Sequence, residues 1–199
     1  AIVTADSPNA AYWAITGKGI SGELHSLYMT FDGTVSGVKN GIIPQYLNQL
    51  KDMFEALVNE VNKIHQGGYP LKAPTGGINF FTRSNGQPIT DSNGNLIISI
   101  TDFSDVVVNP SIVKDLHNIA AAKVSEKDAT GNDTGIGLPG DGSNALEMSQ
   151  LRYKNVKIGA TFDGTFDEYY RSLLGALGVQ TQEAQRQTNN AQLILDSVE

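Results

Sequence analysis

The apolar positions of this chain form two long tracts of helical spacing, separated by a middle that alternates, turns and then thins out. In "YLNQLKDMFEALVNEVNKIHQGGY", residues 46 to 69, Leu47, Leu50, Phe54, Leu57, Val61 and Ile64 recur at alternating steps of three and four. Residues so spaced share one helix face and make a heptad seam. The spacing predicts a helix from about Pro44 to Gln66. Pro44 suits the first turn, where its missing N–H is an orphan in any case, and Gly67-Gly68 ends the helix. The second tract carries Phe166, Tyr170, Leu173, Leu177, Gln180, Ala184, Gln187, Ala191, Ile194 and Val198 on the same alternation, with apolar character lapsing at Gln180 and Gln187. Gly175 and Gly178 weaken it by about 1 kcal/mol each relative to Ala. A seam needs a cover, and the matching lengths make each tract the expected partner of the other. The core seam is then Leu47, Leu50, Phe54, Leu57, Val61 and Ile64 against Phe166, Tyr170, Leu173, Leu177, Ile194 and Val198.

Shorter elements fill the rest. Residues 1 to 19 hold two apolar runs around a Ser-Pro-Asn turn and read as short edge strands. "GKGISGELHSLYMTF" (17 to 31) has helical spacing, with Ser21 as its N-cap. Two Asn-Gly signals and the β-branched run "NLIISITDF" predict a small ribbon from about Phe80 to Phe103. "NPSIVKDLHNIAAAKV" (109 to 124) reads as a short helix with Ile112, Leu116, Ile119 and Ala120 inward, and "NALEMSQLRY" (144 to 153) as another, capped by Ser143 or Asn144. Residues 125 to 143, "SEKDATGNDTGIGLPGDGS", have little to bury and read as a mobile loop. The expected fold class is therefore mainly α with a small β ribbon, an elongated antiparallel helical bundle. Its parts are an edge segment (1–19), a first rod part (20–79), a ribbon (80–108) and a second rod part (109–199).

Composition narrows the partners. Hydrophobic residues make up 40% of 199 residues, enough for a core, and the net charge of -7 comes without any Lys/Arg run. Phosphate backbones and anionic lipid surfaces are held by clustered cations, so neither nucleic acid nor a membrane is an expected partner. No apolar run approaches the roughly 20 residues that span a bilayer, and no secretory signal opens the chain. With no cysteine, disulfides, thiolate metal sites and cysteine nucleophiles are excluded.

Candidate chemistry is sparse. His25, His65 and His117 sit in no His-Glu-x-x-His arrangement, and His65 reads as an imidazolium at the negative end of its helix. "GNDTGIGLPGDG" lacks the lysine and flanking elements of a phosphate loop. Asp91, Asn93, Asn95 and Asp102 fall at calcium-loop positions, but Leu96 stands where that loop needs Gly, so a turn-rich hairpin accounts for them better. Asp163, Asp167 and Glu168 read as the acidic start of the last helix. No catalytic, cofactor or metal residue is expected.

Three stretches together resemble the hook-associated protein 1 family, the hook-filament junction proteins of bacterial flagella. They carry Gly22-Glu23-Leu24; then Glu60-Val61-Asn62-Lys63-Ile64-His65, Gly68-Tyr69 and Phe80-Phe81; then Gly140-Asp141, Asn144-Ala145 and Tyr169-Tyr170. The resemblance runs from about Gly17 to Glu199, and "VVVNPSIVKDLHNIAAA" matches the segment that leads into the family's C-terminal helices. It implies a non-enzymatic structural protein whose rod-shaped helical domain packs side by side in a tubular ring. The implied partners are copies of itself, the hook protein, the second junction protein and an export chaperone. The implied location is extracellular, in the flagellum, reached without a cleaved signal peptide. The resemblance implies that the chain corresponds to the family's core, short of the polymerising helix at each end. "GTVSGVKNGI" is longer than the family's connection, and the segment between Phe81 and Val106 is short where some members carry an outer domain. Other readings are the second junction protein or a divergent flagellin, which lack the Gly-Glu-Leu start joined to the Asn-x-Ile-His end, and a secreted helical binding module or adhesin that uses the ribbon. An enzyme would have to place its chemistry in the ribbon or the 125–144 segment.

Overall fold

The computed structural model describes residues 28–31, 34–35, 38–39, 41–72, 77–89 and 103–198. The expected edge strands of residues 1–19, the Ser21 cap, the run Asn95–Thr101 and the Asp91–Asp102 loop lie outside them. The chain divides into two compact units, Ala1–Leu50 and Lys51–Glu199. In the first unit, β1 (Thr34–Val35) pairs antiparallel with β2 (Val38–Lys39). Helix α1 (Ile42–Gln66) begins in this unit and ends in the second.

Within the second unit α1 is covered by a β ribbon. Strand β3 (Phe81–Arg83) pairs antiparallel with β4 (Val106–Val108), Phe81 opposite Val108 and Arg83 opposite Val106. The β-branched Val106-Val107-Val108 run supplies the returning strand, because branched side chains pack well on a pleated surface. Val58 of α1 and Ile89 are fully buried together, with Phe54, Phe81 and Val106 packed on them. Phe103 meets Phe54 edge to face at 5.3 Å between ring centres. The apolar cover of this stretch of α1 is thus the ribbon.

The segment expected as one helix over 109–124 is broken. Helix α2 (Pro110–Lys114) has Asn109 as N-cap, its side chain accepting from the Ser111 N–H. Asp115 stops it in extended conformation, and its carboxylate accepts the His117 N–H to open a 3-10 turn at Leu116–Asn118. Ile112 and Ala120 are buried as expected, whereas the break leaves Leu116 on the surface.

Residues 125–143 hold a hairpin in place of the expected mobile loop. Strand β5 (Ser125–Lys127) pairs with β6 (Asp133–Gly137) across a turn organised by Asp128. One carboxylate oxygen of Asp128 accepts from the Thr130 and Asn132 N–H groups and from the Thr130 hydroxyl, and Gly131 takes a left-handed φ of 87°. The polar residues that signalled solvation are the ones that close the turn.

Helix α3 (Ser143–Gln150) follows, with Leu146 exposed and Leu151 buried just after it. A second hairpin, β7 (Val156–Ile158) with β8 (Phe162–Gly164), leads into α4 (Phe166–Val198). Leu151, Val156, Ile158, Tyr169 and Leu173 are buried here, and Phe162 packs edge to face on Tyr169 at 4.9 Å. Thr165 and Glu168 close the N-terminus of α4 as a capping box. The Thr165 N–H donates to the Glu168 carboxylate at 2.9 Å, and the Glu168 N–H donates to Thr165 Oγ1 at 3.2 Å. Thr165→Ala is expected to cost about 1 kcal/mol, read as a lower urea midpoint with an unchanged slope.

Mainly α with small β is the class that forms, with four two-stranded antiparallel ladders among the described residues. After Leu173, every side chain of α4 up to Ser197 is exposed except the half-buried Glu183. The second tract therefore does not supply the expected cover of the first beyond its opening turns.

Candidate functional site

Three polar side chains at the C-terminal end of α1 and the start of α3 tie four segments of the second unit together. Asn62 acts as a strand partner: its Nδ2 donates to the Phe81 carbonyl at 3.0 Å, and its Oδ1 accepts the Phe81 N–H at 2.7 Å. His65 bridges two backbones, with Nδ1 2.5 Å from the Ile78 carbonyl oxygen and Nε2 accepting the Ala120 N–H at 2.9 Å. Asn144 donates through Nδ2 to the Ile64 carbonyl at 3.0 Å and to the Ala120 carbonyl at 2.7 Å. All three are almost completely buried. Buried polar groups are tolerated only when bonded, and here the partners named are main-chain groups, of β3, of the end of α1 and of the irregular backbone at Ile78 and Ala120.

Backbone pairing extends the joint. Tyr69 and Ala122 exchange both hydrogen bonds, Gly77 donates to the Gly68 carbonyl, and Gly137 donates to the Pro70 carbonyl. Such approaches require small residues. A side chain on Gly68 would run into the Asn144 amide and the Ala120 carbonyl, and one on Gly137 would lie 2.8 Å from the Tyr69 carbonyl oxygen. Asp141 closes the far side, its carboxylate accepting from the Lys123, Val124 and Ser143 N–H groups. Bonds from the Ser143 hydroxyl and from these N–H groups hold that carboxyl far below the usual range.

The expected imidazolium at His65 is overturned. Burial pushes its pKa down, against a smaller upward pull from the bond to the Ile78 carbonyl. Burial thus favours the uncharged ring, and among the described residues no charged group offsets the cost of burying a cation there. His117, by contrast, is exposed and paired with Asp115 at 2.6 Å, and His25 lies outside the described residues. Of the expected acidic start of the last helix, Asp167 and Glu168 lie in the first turn of α4, where Asp167 pairs with Arg171 and Glu168 caps Thr165, whereas Asp163 falls in β8. Among the described residues no group of three His, Asp or Glu side chains could hold a metal ion. Asn62, His65 and Asn144 are bonded to the backbone and closed to solvent, so what this arrangement does is hold segments in register.

The accessible feature is α4. Leu174, Leu177, Val179, Leu193, Ile194 and Leu195 are between 45% and 68% exposed. Of the expected seam, Ile64 and Leu173 are buried, and Phe54, Leu57, Val61 and Phe166 are half-buried. Leu47, Leu50, Tyr170, Leu177 and Ile194 are exposed, and the Val198 side chain lies outside the description. The buried line of α1 instead includes Val58, Asn62 and His65, one register to the side of the apolar seam. An apolar pattern cannot show it, because two of its three members are polar; the Thr165-x-x-Glu168 box, however, was readable as a sequence signature.

No family model matches the chain, and no solved structure does. Among curated proteins it is similar to flagellar hook-associated protein 1 of Bacillus subtilis (strain 168), 23% identical over 167 residues. The match covers 83% of this chain, which spans about 29% of the relative's length. The likeness is therefore a distant one, to a flagellar hook-associated protein. Asn62, His65, Gly68, Phe80, Phe81 and Asn144, all within the stretches quoted for the family resemblance in the sequence analysis, take part in the joint at the end of α1. No helix among the described residues is long and apolar enough to cross a membrane.

Proposed function

We propose that this chain is part of a structural, non-enzymatic subunit of the bacterial flagellum at the hook-filament junction. The subunit packs side by side with copies of itself and adjoins the hook protein and the second junction protein. It reaches the outside by flagellar export, with a chaperone and without a cleaved signal peptide. The observation that carries this reading is the match over 83% of the chain to a flagellar hook-associated protein 1. The uncovered apolar residues of α4 support it, since large exposed apolar surface marks sites of association.

Gold-labelled antibody raised against the purified chain tests it on flagella isolated from the source bacterium. Label should form one band between hook and filament. Label spread along the filament, or confined to the cell surface, would overturn the junction assignment. Leu177→Asp and Ile194→Asp in the full-length protein should leave stability within about 0.5 kcal/mol, as exposed substitutions do. The same variants should reduce incorporation at the junction.

A further inference from the structure

We infer that His65 is an acid-labile clasp: one uncharged ring joins the end of α1 to the 77–80 segment and to Ala120, and a second proton on it opens the joint. The hydrogen-bond polarity fixes the state of the ring. A carbonyl oxygen can only accept, so the Nδ1 atom 2.5 Å from the Ile78 oxygen carries the hydrogen. A backbone N–H can only donate, so the Nε2 atom 2.9 Å from the Ala120 nitrogen is bare. Protonation at Nε2 would set donor against donor and lose the bond to Ala120. It would also leave a cation in a site with no exposure to water.

Among the described residues the surroundings offer that cation no unpaired anion. Phe80 packs on the ring edge to face at 5.4 Å. On its own helix the nearby charged groups are Lys63, which is exposed, and Glu60, which is paired with Lys154. The 77–80 segment is uncharged, and beyond it Arg83 is paired with Asp105. On the segment through Ala120, His117 is exposed and paired with Asp115, while Lys123 is paired with Glu147 of α3. Asn144, which shares Ala120 with the ring, is uncharged.

The sign follows from linkage. Above the unfolded-state value near 6.5 both states are uncharged at His65, and the clasp contributes in full. As pH falls below that value the unfolded chain takes up a proton that the folded chain refuses. The folding equilibrium should therefore weaken by up to about tenfold per pH unit until the lower folded-state pKa is reached.

Two measurements on the full chain test this. Nitrogen-detected NMR should show hydrogen on Nδ1 and a bare Nε2 at neutral pH. Hydrogen exchange at the Ala120 amide should accelerate from about pH 6.5 to about pH 5 beyond the intrinsic pH effect. His65→Gln, which can still accept and donate but cannot titrate, should remove the slope of stability against pH in that window. A ring that titrates at or above 6.5, or hydrogen found on Nε2, would overturn the clasp even if the variant fails to fold. So would an unchanged slope in a folded His65→Gln protein.

Discussion

Asn144→Asp should cost about 3–5 kcal/mol, the range for leaving one charge buried without a partner, and so a large share of a typical domain's 5–15 kcal/mol. The substitution hardly alters shape. It changes polarity: the Nδ2 donor that serves the Ile64 and Ala120 carbonyls is replaced by a carboxylate oxygen facing both. Both carbonyls then lose a donor, and a site only 1% exposed must hold an anion. Asn144→Ala is the control, losing the bonds without adding charge, at about 1–3 kcal/mol. Urea unfolding followed by circular dichroism at neutral pH should rank wild type above Asn144→Ala, and both above Asn144→Asp. Equal midpoints for the two variants would show that the side chain fills space and donates nothing of consequence.

Gly77→Ala is expected to be the second most damaging small change, near the upper end of the roughly 1–3 kcal/mol typical of overpacking. A β-carbon there would overlap the His65 carbonyl oxygen and lie 2.7 Å from its carbon. Those atoms belong to the last turn of α1 and cannot rotate away. Gly175→Ala offers the contrast, because nothing lies within 4 Å of its added carbon. Within exposed helix that exchange should stabilise by roughly 0.5–1 kcal/mol. Thermal midpoints of the two variants should therefore move in opposite directions.

Both predictions concern a joint that apolar periodicity leaves invisible. The two long helices were legible because three-and-four spacing is a property of neighbouring residues, as were the acidic start of α4 and the glycine stop of α1. The resemblance named Asn62, His65 and Asn144 as marks, but not their contacts. Asn62 meets Phe81 across 19 positions and Asn144 meets Ile64 across 80, and such pairings depend on the whole fold. The hairpin at 125–137 was missed because Asp128, Thr130 and Asn132 are polar whether they face water or close a turn on one another. The presumed pairing of the long tracts failed for a related reason. A periodic apolar stripe shows that a cover is needed, and the ribbon met that need at Phe54 and Val58 while α4 stayed uncovered after Leu173.

The uncovered length of α4 has a calorimetric consequence. From Leu174 onward the helix relies on its own backbone and on local pairs such as Arg186 with Glu183 and Gln192 with Asp196. Pairs of that kind contribute only about 0.2–0.5 kcal/mol each, and Gly175 and Gly178 oppose them. Heating should unwind this stretch over a broad range before the packed unit melts. Far-ultraviolet ellipticity will then fall ahead of the main heat-absorption peak, and the van't Hoff enthalpy from ellipticity will come out below the calorimetric one. A neighbour that covers the helix would restore a single sharp transition, which makes melting cooperativity a direct reporter of whether α4 has found its partner.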